Sequence, residues 1–136
     1  MDIFQQSIAG FPAFITYFLI SLVLLAIFLF LYLHVTPYRE IQLIRDGNVA
    51  AALSMSGTML GFTIPLAHAV AQSVSIPDML VWGVIALVVQ LLVYLVARTL
   101  IPGLSTDIPA GKAAQGAFLG ILSLSTGILN AACMTY

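Results

Sequence analysis

No charged residue occurs between Asp2 and Arg39, between Asp46 and Asp78, between Asp78 and Arg98, or after Lys112. A bilayer core about 30 Å thick is crossed by about 20 apolar helical residues, so each of these intervals holds one crossing. The apolar runs that fill them cover about 11–33, 49–74, 79–97 and 113–135. Each central Leu, Ile, Phe or Val contributes about −0.3 to −0.6 kcal/mol to insertion, which makes the first run favourable by several kcal/mol. All nine charged residues lie outside the runs or at their margins: Asp2, Arg39, Glu40, Arg45, Asp46, Asp78, Arg98, Asp107 and Lys112. A soluble helical bundle would instead carry charge along its exposed faces. The expectation is an all-α membrane protein with four transmembrane helices, forming a single integral membrane domain over residues 1–136.

Composition removes the main alternatives. Of 136 residues, 62% are hydrophobic and 7% charged, too little polar surface for a soluble body. Disorder needs the opposite balance. Four Lys plus Arg against five Asp plus Glu leave a net charge of -1 and no basic patch for phosphates, so no nucleic-acid partner is expected. The residues before the first run carry Asp2 and no Lys or Arg, whereas a cleaved signal peptide has a positive start and a shorter apolar run. The first run therefore reads as a retained anchor.

Orientation follows the positive charges, which stay cytoplasmic. Arg39 and Arg45 lie between runs one and two, Arg98 and Lys112 flank the link between runs three and four, and the middle link has only Asp78. Both termini are then expected in the periplasm. Tyr17, Trp82 and Tyr136 fall towards the outer interface and Tyr32, Tyr38 and Tyr94 towards the inner one, where ring and polar tip meet different solvents. In the first inner loop, Thr36 and Pro37 suit the cap and first position of a short helix, Gly47 its left-handed end, and Asn48 the start of run two. Such a helix would lie on the inner surface with its arginines near lipid phosphates; a structured turn is the alternative.

Runs one and three are rich in Leu, Ile, Val and Phe, and runs two and four in Ala, Gly, Ser and Thr. In lipid, helix association depends on close backbone approach, which small residues permit. Gly57 and Gly61 form one G-x-x-x-G pair, and Gly116 and Gly120 another. Runs two and four are accordingly expected inside, with one and three facing lipid. The first pair of runs (about 11–74) recurs after about 64 residues (about 79–135), which implies a parallel repeat of a two-helix unit.

Without an Asp, Glu, Lys or Arg at a hydrocarbon centre, no intramembrane proton relay or ion-pair gate is expected. His68, Gln72, Gln90 and Asn130 remain as a candidate polar cluster. It reads either as a site for an ion, proton or substrate, with a titratable imidazole, or as interhelical hydrogen bonds, and the structural reading is preferred. Pro65 should kink run two and free the Gly61 carbonyl, for which Thr63 or serines are candidate partners. His34 and His68 sit at opposite depths and cannot share a metal ion. Cys133 has no second cysteine for an internal bridge. No catalytic residue, metal or cofactor is expected, and no enzymatic activity.

Several segments together resemble the YjfL family of small bacterial inner-membrane proteins, classed as a domain of unknown function. They are Thr36-Pro37, Gly47-Asn48-Val49-Ala50-Ala51-Ala52, Ser56-Gly57-Thr58-Met59-Leu60-Gly61, Ile64-Pro65-Leu66-Ala67, Ser75-Ile76-Pro77-Asp78, Trp82-Gly83, Ile85-Ala86-Leu87, Gln90-Leu91-Leu92-Val93 and the run from Gly127 to Tyr136. The resemblance implies a multi-pass inner-membrane protein with a doubled two-span unit, no assigned catalytic residues, and an envelope-stress setting with envelope-stress proteins as partners. Two functions are carried forward. One is a structural or regulatory component that forms a homo-oligomer in the bilayer; the other is a subunit of a small oligomeric channel or transporter for an ion or small polar solute.

Overall fold

The computed structural model describes residues 2–134. The described chain is helical, with α1 (Ile3–Ala9), α2 (Phe11–Val35), α3 (Glu40–Arg45), α4 (Val49–Gln72), α5 (Ile76–Leu100), α6 (Leu104–Asp107) and α7 (Ala113–Cys133). Among the described residues, four stretches are long and apolar enough to cross a membrane: Ile3–Val35, Val49–Gln72, Ile76–Leu100 and Ala113–Cys133. The shortest has 21 residues, about 32 Å at 1.5 Å per residue. Thr135 and Tyr136, expected at the end of the fourth crossing, lie outside the described residues.

Local chemistry sets the boundaries. Asn48 caps α4, its Oδ1 accepting the Ala51 N–H at 2.9 Å. The preceding Gly47 has φ +84°, a conformation glycine adopts without a Cβ penalty. At the other end of the bundle, the Ser75 hydroxyl accepts the Asp78 N–H at 3.3 Å, while the Asp78 carboxylate accepts the Val74 N–H at 3.2 Å. Ser75 thus caps α5 while Asp78 reaches back to the residue before the cap, which places the loop's lone charge at a helix N-terminus, where the helix dipole favours it.

Thr36 departs from the expectation. It closes α2 instead of opening the next helix: its N–H bonds to the Tyr32 carbonyl and its ψ is 135°. Pro37 disfavours helical backbone at the residue before it, and the Thr36 hydroxyl donates back to the Tyr32 and Leu33 carbonyls. The loop helix therefore starts later, at Glu40, with Arg39 at its cap.

Packing corrects a second expectation. In the most apolar stretch of α4, 56% of residues are buried, against 33% in both α5 and α7 and 11% in the first crossing. α4 is the interior helix, while α7 is no more enclosed than α5, because α7 buries one face through Gly116, Leu119, Gly120, Ser123 and Gly127. That face lies along α4. A Cβ added at Gly116 would overlap the Ala50 backbone, one at Gly120 the Leu53 backbone, one at Gly57 the Gly120 backbone, and one at Gly127 the Gly61 backbone. Residue numbers rise together along the two helices, so α4 and α7 run parallel with their main chains in contact.

α2 buries side chains fully only in its second half, while Tyr17 and Ile20 of its first half pack partly against the bundle. Its buried residues are Leu24, Phe28 and Tyr32, with Phe28 stacked on Phe62 of α4 at 4.4 Å between ring centres. A smaller cluster of Ala69, Met79 and Met134, flanked by Tyr17 and Trp82, closes the end away from the arginines.

Candidate functional site

Two buried polar groups of residues share the interior. The first is built on Pro65, which lacks the N–H that would otherwise bond the Gly61 carbonyl. Gln90 of α5 replaces it. Its Nε2 donates to the Gly61 carbonyl at 3.0 Å and to the Ser123 carbonyl at 3.1 Å, which ties α4, α5 and α7 together. Thr63 and the serines are thus not the partners of the freed carbonyl. The long Gln90 amide spans the gap from α5 to both main chains. Both Gln90 amide hydrogens are engaged, and its Oε1 has no partner among the described residues.

The other members of the candidate polar cluster are placed differently. Gln72 is exposed at the end of α4, and His68 and Asn130 are half-buried. The Asn130 Nδ2 has no partner among the described residues. Gln90 spends its donors on backbone carbonyls, not on these three side chains. Gly57, Gly61, Gly116 and Gly120 lie along the α4–α7 contact described above.

The second group lies at the end of the bundle that carries Arg39, Arg45, Arg98 and Lys112. Tyr32, Tyr38 and Tyr94 are all buried there, with 1%, 9% and 0% of their surface exposed, so they pack inside the bundle at that end. The Tyr32 and Tyr94 rings meet edge to face at 5.8 Å. Arg98 lies over the outer part of this group, 5.8 Å from the Tyr94 ring centre, at a range where a cation is attracted to the ring face. Below Tyr32, the Thr58 hydroxyl lies 3.4 Å from the Tyr32 hydroxyl and 3.3 Å from that of Ser123. Thr58 has one hydroxyl proton, so it donates to one neighbour and accepts from the other.

Glu40 sits among these tyrosines. It opens α3 and is fully buried; neither its carboxylate oxygens nor the Tyr38 and Tyr94 hydroxyls complete a hydrogen bond of ordinary geometry among the described residues, although the Thr36 hydroxyl approaches the carboxylate and the two phenols approach each other. The one ion pair among the described residues joins Lys112 to Asp107 and leaves Glu40 out. Burial pushes the Glu40 carboxyl up to about 7, against a smaller lowering by the Thr36 hydroxyl. Burial also raises the Tyr38 phenol, reinforced by Tyr32 and then by Glu40. In the sequence, Glu40 reads as one more loop charge. The usable signal was three tyrosines at one depth around a single carboxylate, but their convergence is tertiary.

The second loop at this end is stapled to the first. The Asn48 Nδ2 donates to the Ile108 and Pro109 carbonyls at 3.0 and 3.2 Å, so the residue that caps α4 also fixes the link before α7. Leu104 and Ile108 are buried beneath it.

Residues 6–134 match the family described as Domain of Unknown Function (DUF350). The chain is 50% identical over 124 residues to the UPF0719 inner membrane protein YjfL of Escherichia coli strain K12, covering 91% of this chain and 94% of that protein. It is 31% identical over 91 residues to the UPF0719 transmembrane protein YshE of Bacillus subtilis strain 168, covering 67% and 68%. No solved structure matches the chain.

Proposed function

The chain belongs to the DUF350 family, and from that premise we propose that it is a structural or regulatory component of the bacterial inner membrane that assembles with copies of itself. The observation that carries this reading is the first half of α2. Nothing in α2 before Leu24 is buried, yet Phe11, Phe14 and Phe18 stack in a ladder with ring centres 6.1 and 5.6 Å apart. A cleft of about 370 Å³ beside it is lined by Gly10, Ala13, Phe14, Tyr17, Phe18, Ser21 and Val70. Aromatic rings held in register against small residues suit dispersion between helices, the main driving force for association in lipid.

The channel alternative draws less support. Thr58, Ser123 and Gln90 point into the bundle of a single copy, so these three would not line a pore shared between copies. In the same proposal, the end with Arg39, Arg45, Arg98 and Lys112 faces the cytoplasm and the protein acts under envelope stress, the setting implied by the family resemblance. Two copies of a two-span unit are supported by Gly47 and Gly111, about 64 residues apart, which take φ +84° and +82° just before the caps of α4 and α7.

Cysteine cross-linking in native membranes tests assembly. In a Cys133→Ser background, Phe14→Cys and Phe18→Cys should yield disulfide dimers, and Val88→Cys on the exposed face of α5 should not. Monomer alone at every α2 position would overturn the reading.

A further inference from the structure

We propose that Glu40, Tyr38 and Tyr94 form a binding site for one monovalent alkali cation, in which a proton competes for the same carboxylate. Four oxygens carry the argument: both carboxylate oxygens of Glu40, approached by the Thr36 hydroxyl, and the hydroxyls of Tyr38 and Tyr94, which approach each other; all are buried and none completes a hydrogen bond of ordinary geometry among the described residues. An ionised carboxylate left alone in such a place costs several kcal/mol in desolvation. It must be neutralised by a proton or paired with a positive charge.

No basic side chain does this. The titratable groups that face Glu40 are Tyr32 of α2, Tyr38 of the loop and Tyr94 of α5; the charged side chains at this end of the bundle are Arg39 of the loop, Arg45 and Asp46 at the end of α3, Arg98 of α5, Asp107 of α6 and Lys112. Arg39, Arg45 and Arg98 are exposed, Arg98 lies over the Tyr94 ring, and Lys112 is committed to Asp107. Burial raises the carboxyl to about 7, against a smaller lowering by the Thr36 hydroxyl.

The donor set defines the ligand. Carboxylate and phenol oxygens are hard, which suits an alkali ion. A single carboxylate supplies one negative charge, and the described residues hold no group of three or more His, Cys, Asp or Glu side chains, whereas Ca²⁺ takes six to eight oxygens, usually with several carboxylates. A monovalent ion makes the site neutral. A cleft of about 290 Å³ lies beside it, with Thr36, Tyr38, Arg39 and Glu40 among its walls.

The test is thermal unfolding of the full chain in nanodiscs, in NaCl, KCl or choline chloride at one ionic strength. At pH 8, sodium or potassium should raise the midpoint saturably over choline. The half-saturating concentration should rise about tenfold per pH unit well below pH 7, as protons compete. Glu40→Gln should abolish the cation effect, and Tyr38→Phe or Tyr94→Phe should raise the half-saturating concentration while keeping the fold. Equal midpoints in the three salts at pH 8 for the unaltered chain would overturn the proposal and leave a proton-only carboxyl. A cation effect that survives in all three variants would overturn it too, by placing the ion elsewhere.

Discussion

One helical turn of α5 separates Gln90 from Tyr94, and the two residues head buried polar groups of different character. At Gln90 the side chain satisfies a carbonyl that Pro65 releases, and the surrounding backbones touch so closely that a Cβ would not fit. At Tyr94 the neighbours are bulky rings and a carboxyl, with four oxygens that complete no hydrogen bond of ordinary geometry among the described residues. The Tyr32, Thr58 and Ser123 hydroxyls link the two. A region whose bonds are nearly all made inside the protein holds helices in register. A region with unspent bonding capacity responds to what the medium supplies, which here means protons and small cations.

Substitutions break this comparison in order of size. Gly61→Leu or Gly127→Leu should be the most damaging, because the new side chain meets main chain, of Ser123 or of Gly61, that cannot swing aside. A loss of at least about 3 kcal/mol, the upper end of the usual overpacking cost, is expected in SDS unfolding of the reconstituted protein. Gln90→Leu removes two interhelical bonds that average about 0.6 kcal/mol each in membranes, so a loss of about 1–2 kcal/mol is expected, while Gln72→Leu at the exposed end of α4 should be close to neutral. Asn48→Ala loses a cap, worth about 1 kcal/mol, together with its bonds to the second loop. Near-neutral Gln90→Leu beside a costly Gln72→Leu would invert the account of the interior.

The pH dependence sharpens the other side. Glu40 rises from its usual value of about 4.5 to about 7 on folding, so between these values the native state binds more protons than the unfolded chain. Stability in choline should therefore fall as pH rises from about 4.5 to about 7 and level off above. Glu40→Gln should remove this slope, and an unchanged slope would place the titrating group elsewhere. The smallest effect is expected from Arg39→Gln at the rim of the cleft, where loss of an exposed positive charge should tighten cation binding no more than a few-fold, and less so at high salt.

Much of the fold could be read from where charge is missing. The intervals free of Asp, Glu, Lys and Arg set the four crossings, and Asn48 marks the start of α4 because capping is local chemistry. The partner of the Gly61 carbonyl was not legible: Pro65 shows that a carbonyl is freed, but only the approach of α5 brings Gln90 to it. Composition also overstated the enclosure of α7, since small residues along one face allow close contact without burying the opposite face. Glu40 escaped for a related reason. A loop glutamate between two arginines reads as solvated until tyrosines from two crossing helices and the loop close over it.

The parallel, backbone-to-backbone pairing of α4 and α7 underlies both polar regions. Pulsed electron-electron distances between spin labels in nanodiscs test it most directly, with labels at Val49 and Ala113 for one end, Gln72 and Cys133 for the other, and Val49 and Cys133 across. The account predicts short distances within each end and a separation of about 30 Å or more across, as helices of this length require. A short Val49–Cys133 distance, with long distances within each end, would mean that the two helices run antiparallel and would contradict it.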